Sequence, residues 1–446
     1  MNVALLLLAS LTAVSGFPSV PSAWRTGILV EDAGTGETLF ERNATDYFRP
    51  ASTIKLVTTL LAMKDLGPSY IYETRILADT LAGNIYAMGA GAPLIDAELV
   101  RIAALEAAAS LDPDKEWNVY WDTSAFLEES HCPGWDESDW SRTYCPPVEA
   151  LSVGDNVVQL LVSTVGDTMR IYNYPPLPDL ELVNGLTVGT VESVKATVEG
   201  WETGRPFISL QGTVPPDTLL VLYKPFPGPP AEFAGMLAGE LENAGIRINA
   251  VRPGSAGNAA DSLPQISVIR SEPLFVLLAS MNKWSRNMVA EMVLRTVSLE
   301  LGAVPASTAA GCDAAGRMLR ELTPGPDDFR LADGSGLSRY NSLAPAHLAA
   351  VLREGANSLE WGVEFLATLP VNGVDGTLKN RMRNLPPGAF RGKTGSLGDT
   401  SAVAGLLVTR SGRKLVVVIM MEFPRGRIFT ARALQDRMIS WFRENY

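Results

Sequence analysis

Strand-forming sequence lies at both ends of this 446-residue chain, and helix-forming sequence lies between them. Gly27–Ala33 and Glu37–Glu41 read as a hairpin around Gly34-Thr-Gly36. At the other end, Phe390–Gly395, Ser401–Thr409 and Lys414–Glu422 read as a three-stranded meander. An amphipathic helix over Ile428–Arg443 closes it, and the short turn before that helix favours packing on the sheet over lying on a membrane surface. Apolar spacing predicts helices over Ser52–Leu66, 273–300, 307–322 and 345–357. Antiparallel strands pair without crossover helices, so one sheet can draw its strands from both ends of a chain. The expected class is therefore α+β, an antiparallel sheet flanked by helices.

Residues 72–267 interrupt this plan. Short Val/Thr/Leu strands over Asn156–Ser163, Thr168–Tyr172, Val191–Val198, Phe207–Gln211 and Leu219–Tyr223 alternate with Pro and Gly. Helical segments over 95–109 and 230–244 punctuate them. The expectation is a discontinuous domain of 17–71 and 268–446, with a mostly β insert at 72–267 large enough for one or two domains.

The N-terminus reads as an export signal at 1–16. Val3–Val14 is almost unbroken apolar sequence, and Val14-Ser15-Gly16 offers small residues for cleavage before Phe17, although Met1-Asn2 lacks a basic residue. The run is shorter than the ~20 residues a membrane span needs, so an exported chain without a transmembrane anchor is expected. Cys132 and Cys145 lie in a loop-like stretch and form a disulfide candidate for that compartment, while Cys312 is left over as a buried thiol. Net charge is −12 and there are nine lysines, a poor match to nucleic acid or anionic lipid. The two histidines, His131 and His347, are far apart, which argues against a His-rich metal site or a Ser-His-Asp triad. Trp117, Trp121, Trp135 and Trp140 fall within 24 residues and read first as a small hydrophobic core, second as a surface for glycan.

Three short elements carry chemistry in a fixed order: Ser52-Thr-Ile-Lys55, Ser285-Arg-Asn287 and Lys393-Thr-Gly395. A serine hydroxyl needs an adjacent base. Lys55, one helical turn on, serves only if burial or another cation lowers its pKa, and Lys393 supplies such a cation. Gly395 leaves room for a substrate backbone along its strand, and the amides of Ser52 and Ser396 are candidates for an oxyanion hole. Serine-x-x-lysine also occurs at Ser280 and Ser411, and the residues alone leave Ser280 and Ser285 as alternatives for the second element. In this order the elements match the pattern shared by penicillin-binding proteins and class A β-lactamases.

The chain resembles the low-molecular-mass, class C penicillin-binding proteins, D-alanyl-D-alanine carboxypeptidases/endopeptidases with a large insert after the serine-lysine helix. The likeness runs from about Trp24 to Trp441. It rests on Pro50-Ala-Ser-Thr-Ile-Lys-Leu56, Asp122-Thr-Ser-Ala-Phe126, Pro133-Gly-Trp135 and Met281-Asn-Lys-Trp-Ser-Arg-Asn287. It continues in Asp333-Gly-Ser-Gly-Leu-Ser-Arg339, Leu369-Pro-Val-Asn-Gly-Val-Asp-Gly-Thr-Leu378 and Gly392-Lys-Thr-Gly-Ser396. The resemblance implies a penicillin-recognising, transpeptidase-like domain and selects Ser285 over Ser280. It further implies Ser52 as nucleophile, Lys55 as its base and Ser285 as proton relay. Asn287 would hold the substrate amide, Lys393 the field, and Thr394 and Ser396 the terminal carboxylate, with Gly395 between them. No metal or cofactor is implied. The implied partners are peptidoglycan stem peptides and β-lactam antibiotics, and the implied location is the periplasm. Arg286, where many relatives have Asp, and Ser396, where Thr is common, are departures. The alternatives are a β-lactamase-like hydrolase, disfavoured by the long gap between Ser52 and Ser285, and an idle cell-wall or β-lactam-binding protein.

Overall fold

Leu415–Met421 is apolar at every position because both faces of its strand are covered. In the computed structural model, which describes residues 16–127, 130–201, 205–323, 325 and 327–446, this strand is the middle of a five-stranded sheet. Beside β16 (Lys414–Glu422) lies β1 (Arg25–Asp32), with Val30 opposite Val417, and β2 (Thr38–Arg42) follows outside it. On the other side are β15 (Thr400–Val408) and, at the edge, β14 (Phe390–Leu397). All pairs are antiparallel. The sheet therefore joins both chain ends.

One face of the sheet packs Ile28, Val417 and Ile419 against Leu434, Met438 and Phe442 of α9 (Ile428–Asn445). The other face, through Leu29, Val416 and Met420, joins the main core with α1 (Lys55–Asp65) and α7 (Pro345–Asn357). α6 (Thr308–Leu322) and α8 (Gly362–Thr368) complete this layer. The helix expected over 273–300 is two helices, α4 (Leu274–Trp284) and α5 (Asn287–Glu300). Ser285 between them is left-handed, with φ of 58°, and its amide closes on Met281 O as a helix C-terminus.

The insert is mostly β, with helices at the two expected segments. β3 (Glu73–Asp79), β4 (Asn84–Met88), β5 (Glu116–Asp122), β12 (Arg247–Pro253) and β13 (Gln265–Arg270) form a mixed sheet in the order β12-β5-β4-β3-β13. α2 (Ala97–Ala108) and α3 (Pro229–Asn243) pack together, and each also contacts this sheet. A second part holds β6 (Val157–Val165), β7 (Thr168–Tyr174) and β11 (Leu219–Pro225) as one small sheet. The other small sheet contains β8 (Leu182–Val188), β9 (Ser193–Glu199) and β10 (Phe207–Val214).

The expected disulfide is absent. Cys132 and Cys145 are free thiols buried in one apolar cluster with Trp135, Val148, Met288 and Met292. Cys132 Sγ instead lies 3.5 Å from Thr308 Oγ1 and 3.8 Å from Arg295 Nη2, so its polar contacts point to α5 and α6. Cys312 is also free and buried. Val3–Val14 lies outside the described residues, and among the described ones no helix is long and apolar enough to cross a membrane. Trp117 joins the main core, while Trp140 stacks on His131 with centroids 4.3 Å apart.

Candidate active site

Ser52 does not cap a helix. It lies in a single 3₁₀ turn, Ala51–Ile54, one turn before α1, and its hydroxyl makes no capping bond. Thr53 satisfies Pro50 O instead, with its amide at 3.2 Å and its hydroxyl at 2.6 Å. Ser52 Oγ is thereby left for Lys55, whose Nζ lies 3.0 Å away.

The turn is clamped from two sides. Ala51 has φ of 45°, a left-handed conformation that costs a non-glycine residue about 1 kcal/mol or more. Gly336, with φ of 83°, presses on it: a Cβ there would stand 2.0 Å from Ala51 O. From β14, a Cβ on Gly395 would stand 2.7 Å from Ser52 N and 2.8 Å from Pro50 O. The space on the Cβ side of Gly395 is thus filled by the Ser52 turn.

Lys55 is fully buried and its ammonium has three acceptors: Ser52 Oγ at 3.0 Å, Asn287 Oδ1 at 2.6 Å and Ser335 O at 2.6 Å. Burial pulls its pKa from 10.5 down to about 7, against the opposing charges of Asp333 and Glu291. Lys393, also fully buried, donates to Ser285 Oγ at 2.9 Å and Thr394 O at 2.8 Å. Its pKa falls well below the usual lysine value through burial and then through the charge of Lys55. Of the two causes expected for a lowered lysine pKa, burial is the main one for both amines.

The break at Ser285 turns both Ser285 and Asn287 toward this centre. Asn287 is fixed at both ends, accepting from Lys55 and donating through Nδ2 to Tyr144 O at 2.7 Å. Arg286 leaves the site and pairs with Asp155 of the insert, so its charge is balanced away from Lys55. Thr394 Oγ1 donates to Thr377 Oγ1 at 2.8 Å, and Ser396 Oγ accepts from Arg432 Nη2 at 3.0 Å. Ser52, Ser285, Asn287 and Ser396 line one open cavity of about 800 Å³, together with Asp139, Tyr144, Arg339 and Ile428. Ser411 is in a β-hairpin turn bonded to Tyr446 O, and Ser280 is within α4, so neither rival serine shares this arrangement. Among the described residues, no cluster of three His, Cys, Asp or Glu is arranged to hold a metal ion.

Asp333-Gly-Ser-Gly336 is a loop held by buried acids, which no local pattern of the sequence announces. Asp333 is buried and accepts from Gly336 N (2.7 Å), Ser338 N (2.6 Å), Asn341 Nδ2 (2.7 Å), Ser335 Oγ (3.2 Å) and Trp135 Nε1 (2.9 Å). Glu291, also buried, accepts from the amides of Gly334 and Ser335 at 2.8–3.1 Å. Its pKa is raised to about 7 by burial and by Asp333. The two acids fix the loop whose Ser335 carbonyl binds Lys55. A clue was available: Glu291 lies one turn after Asn287, flanked by the apolar residues Val289, Ala290, Met292 and Val293.

A serine held by a buried, low-pKa lysine, beside a second buried lysine on an edge strand, defines an active-serine enzyme of the penicillin-recognising class. The D-Ala-D-Ala carboxypeptidase 3 (S13) family matches residues 9–444, and the chain belongs to it. It is a serine-type carboxypeptidase with the transpeptidase-like α+β fold. The D-alanyl-D-alanine carboxypeptidase of Actinomadura sp. is 30% identical over 414 residues, 85% of this chain and 74% of that protein. The D-alanyl-D-alanine carboxypeptidase DacB of Haemophilus influenzae is 26% identical over 431 residues, 90% and 85% of the two chains. The crystal structure of penicillin binding protein 4 from H. influenzae shares the fold at a TM-score of 0.80, covering 95% of this chain and 97% of that one at 22% identity.

Proposed function

We propose that this chain hydrolyses D-Ala-D-Ala and related cross-link bonds of peptidoglycan stem peptides through an acyl-enzyme on Ser52, and that β-lactams acylate the same serine. The carrying observation is the partner set of Lys55. A neutral amine keeps two N–H donors and one lone pair. Asn287 Oδ1 and Ser335 O can only accept, so they take the two donors. Ser52 is the one partner able to reverse its hydrogen bond, which aims the lone pair at the proton to be removed. Lys55 is the base, Ser285 protonates the leaving amine and Lys393 recharges Ser285. Asn287 faces the substrate amide, and the Thr394 and Ser396 hydroxyls bind the terminal carboxylate.

The catalytic unit comprises 17–71 and 268–446, interrupted by the insert at 72–267, and the chain is exported to the periplasm. A β-lactamase-like reading needs a carboxylate free to drive fast deacylation. Glu291 has its oxygens on backbone amides, which supports a persistent adduct instead. An idle binding protein has no need of the intact Lys55–Ser52 contact. Mass spectrometry after penicillin treatment tests the reading. One stable adduct on Ser52, lost in Ser52→Ala, is expected. An adduct on another serine, or none on folded protein, overturns it.

A further inference from the structure

Arg432 has no assigned part in this chemistry, yet it touches Ser396. It sits in the second turn of α9, three residues before Gln435, so the two share a helix face. Gln435 holds Ser401: its Nε2 donates to Ser401 O at 3.0 Å, and its Oε1 accepts from Ser401 Oγ at 3.2 Å. Ser401 is the register partner of Ser396 across β14 and β15. Arg432 reaches the outer member of this pair, and its Nη2 donates to Ser396 Oγ at 3.0 Å.

The acid one turn on, Asp436, offsets its charge only in part and through space. Asp436 is held by Arg381 at 2.6 and 2.8 Å, and Arg432 makes no ion pair among the described residues. Burial first, and then the charge of Arg381, pull the Arg432 pKa below the usual guanidinium value. A guanidinium remains charged even so. It is a half-desolvated cation that an arriving anion would relieve.

A hydroxyl has one proton and two lone pairs. With Arg432 donating to one lone pair, the Ser396 proton is directed elsewhere, and Ser396 lines the cleft with Ser52. We propose that Arg432 is a positioning residue that makes Ser396 a donor to the substrate's C-terminal carboxylate, and so sets the preference for acids over neutral analogues. This rests on the functional reading above.

The test compares kcat/KM for an acyl-D-Ala-D-Ala peptide with that for the benzyl thioester of the same acyl-D-Ala, which lacks the carboxylate. In Arg432→Gln the ratio of the two should fall about tenfold or more, mainly through KM, the scale of a charge-assisted hydrogen bond. Arg432→Lys keeps the charge but not the fork, and should lie about threefold below wild type. If Arg432→Gln does not fold, Arg432→Lys alone decides. A ratio equal to wild type, whether both rates hold or fall together, makes Arg432 a mere tie between helix and sheet and overturns the proposal. Wild-type protein that cleaves neither substrate overturns the functional reading instead.

Discussion

Lys55→Arg separates a base from a fixed charge. Lys55 titrates at about 7, so roughly half of the molecules hold it neutral at that pH. A guanidinium does not give up its proton in a protein, so the substituted side chain stays charged at every pH assayed. Positive charge is preserved and proton acceptance is lost. General-base catalysis is worth ~10²–10⁴-fold, and the acylation rate should fall by that range. In wild type the rate should climb about tenfold per pH unit below 7 and level off above it. The assay is the rate of penicillin adduct formation on both proteins from pH 5 to 10. A Lys55→Arg rate within tenfold of wild type, or a wild-type profile still climbing at pH 10, refutes the base role. Stability offers a second readout. Lys55 titrates at 10.5 when unfolded and about 7 when folded, so between these values the unfolded chain binds more protons. Stability from this group therefore rises with pH from about 7 to 10.5. Lys55→Met should flatten that slope in urea midpoints.

Three further outcomes follow from neighbouring contacts. Asp333→Asn turns an amide toward the donors Asp333 now accepts from, and should lower unfolding free energy by about 3–5 kcal/mol in urea titration, with acylation lost. Gly336→Ala drives a Cβ onto Ala51 O and demands a left-handed alanine; it should cost about 1–3 kcal/mol in thermal unfolding and slow acylation at least tenfold by displacing the Ser52 turn. Arg286→Gln removes a partly exposed ion pair with Asp155 and should change stability by less than about 1 kcal/mol, leaving the pH midpoint of acylation in place.

The chain-end sheet was legible because its strands are long, apolar and bounded by turn residues, and the helices because their periodicity is strong. The break at Ser285 was not legible. Apolar spacing runs on from α4 into α5, and the left-handed serine there is held by a bond from Lys393, 108 residues away. The mixed sheet of the insert was missed for local reasons: β12 interleaves Arg247, Asn249 and Arg252 with its apolar residues, and the tryptophans of β5 read as part of a small hydrophobic core. β8, likewise missed, carries Asn184-Gly185, a turn signal, in its middle. The site elements that were legible carry their chemistry within a few residues. Asp333, Glu291 and Arg432 act through partners distant in sequence, so no short pattern announces them.

The two buried lysines gain their meaning as a pair. Each amine is fully buried, and Lys393 feels the charge of Lys55 as well as its own desolvation. Two ammonium groups in one such pocket are unfavourable, so a single shared proton is the favoured state near neutral pH. In the mechanism proposed above, acylation takes a proton from Ser52 and delivers one to the leaving amine. If Lys55 receives the first while Lys393, through Ser285, supplies the second, the pocket begins and ends with one positive charge. No step then has to place two cations, or none, beside an anionic substrate. That balance explains why Ser52 and Ser285 each bond to a separate lysine, at 3.0 and 2.9 Å, instead of sharing one. It also requires acylation to fail in acid, where both lysines keep their protons.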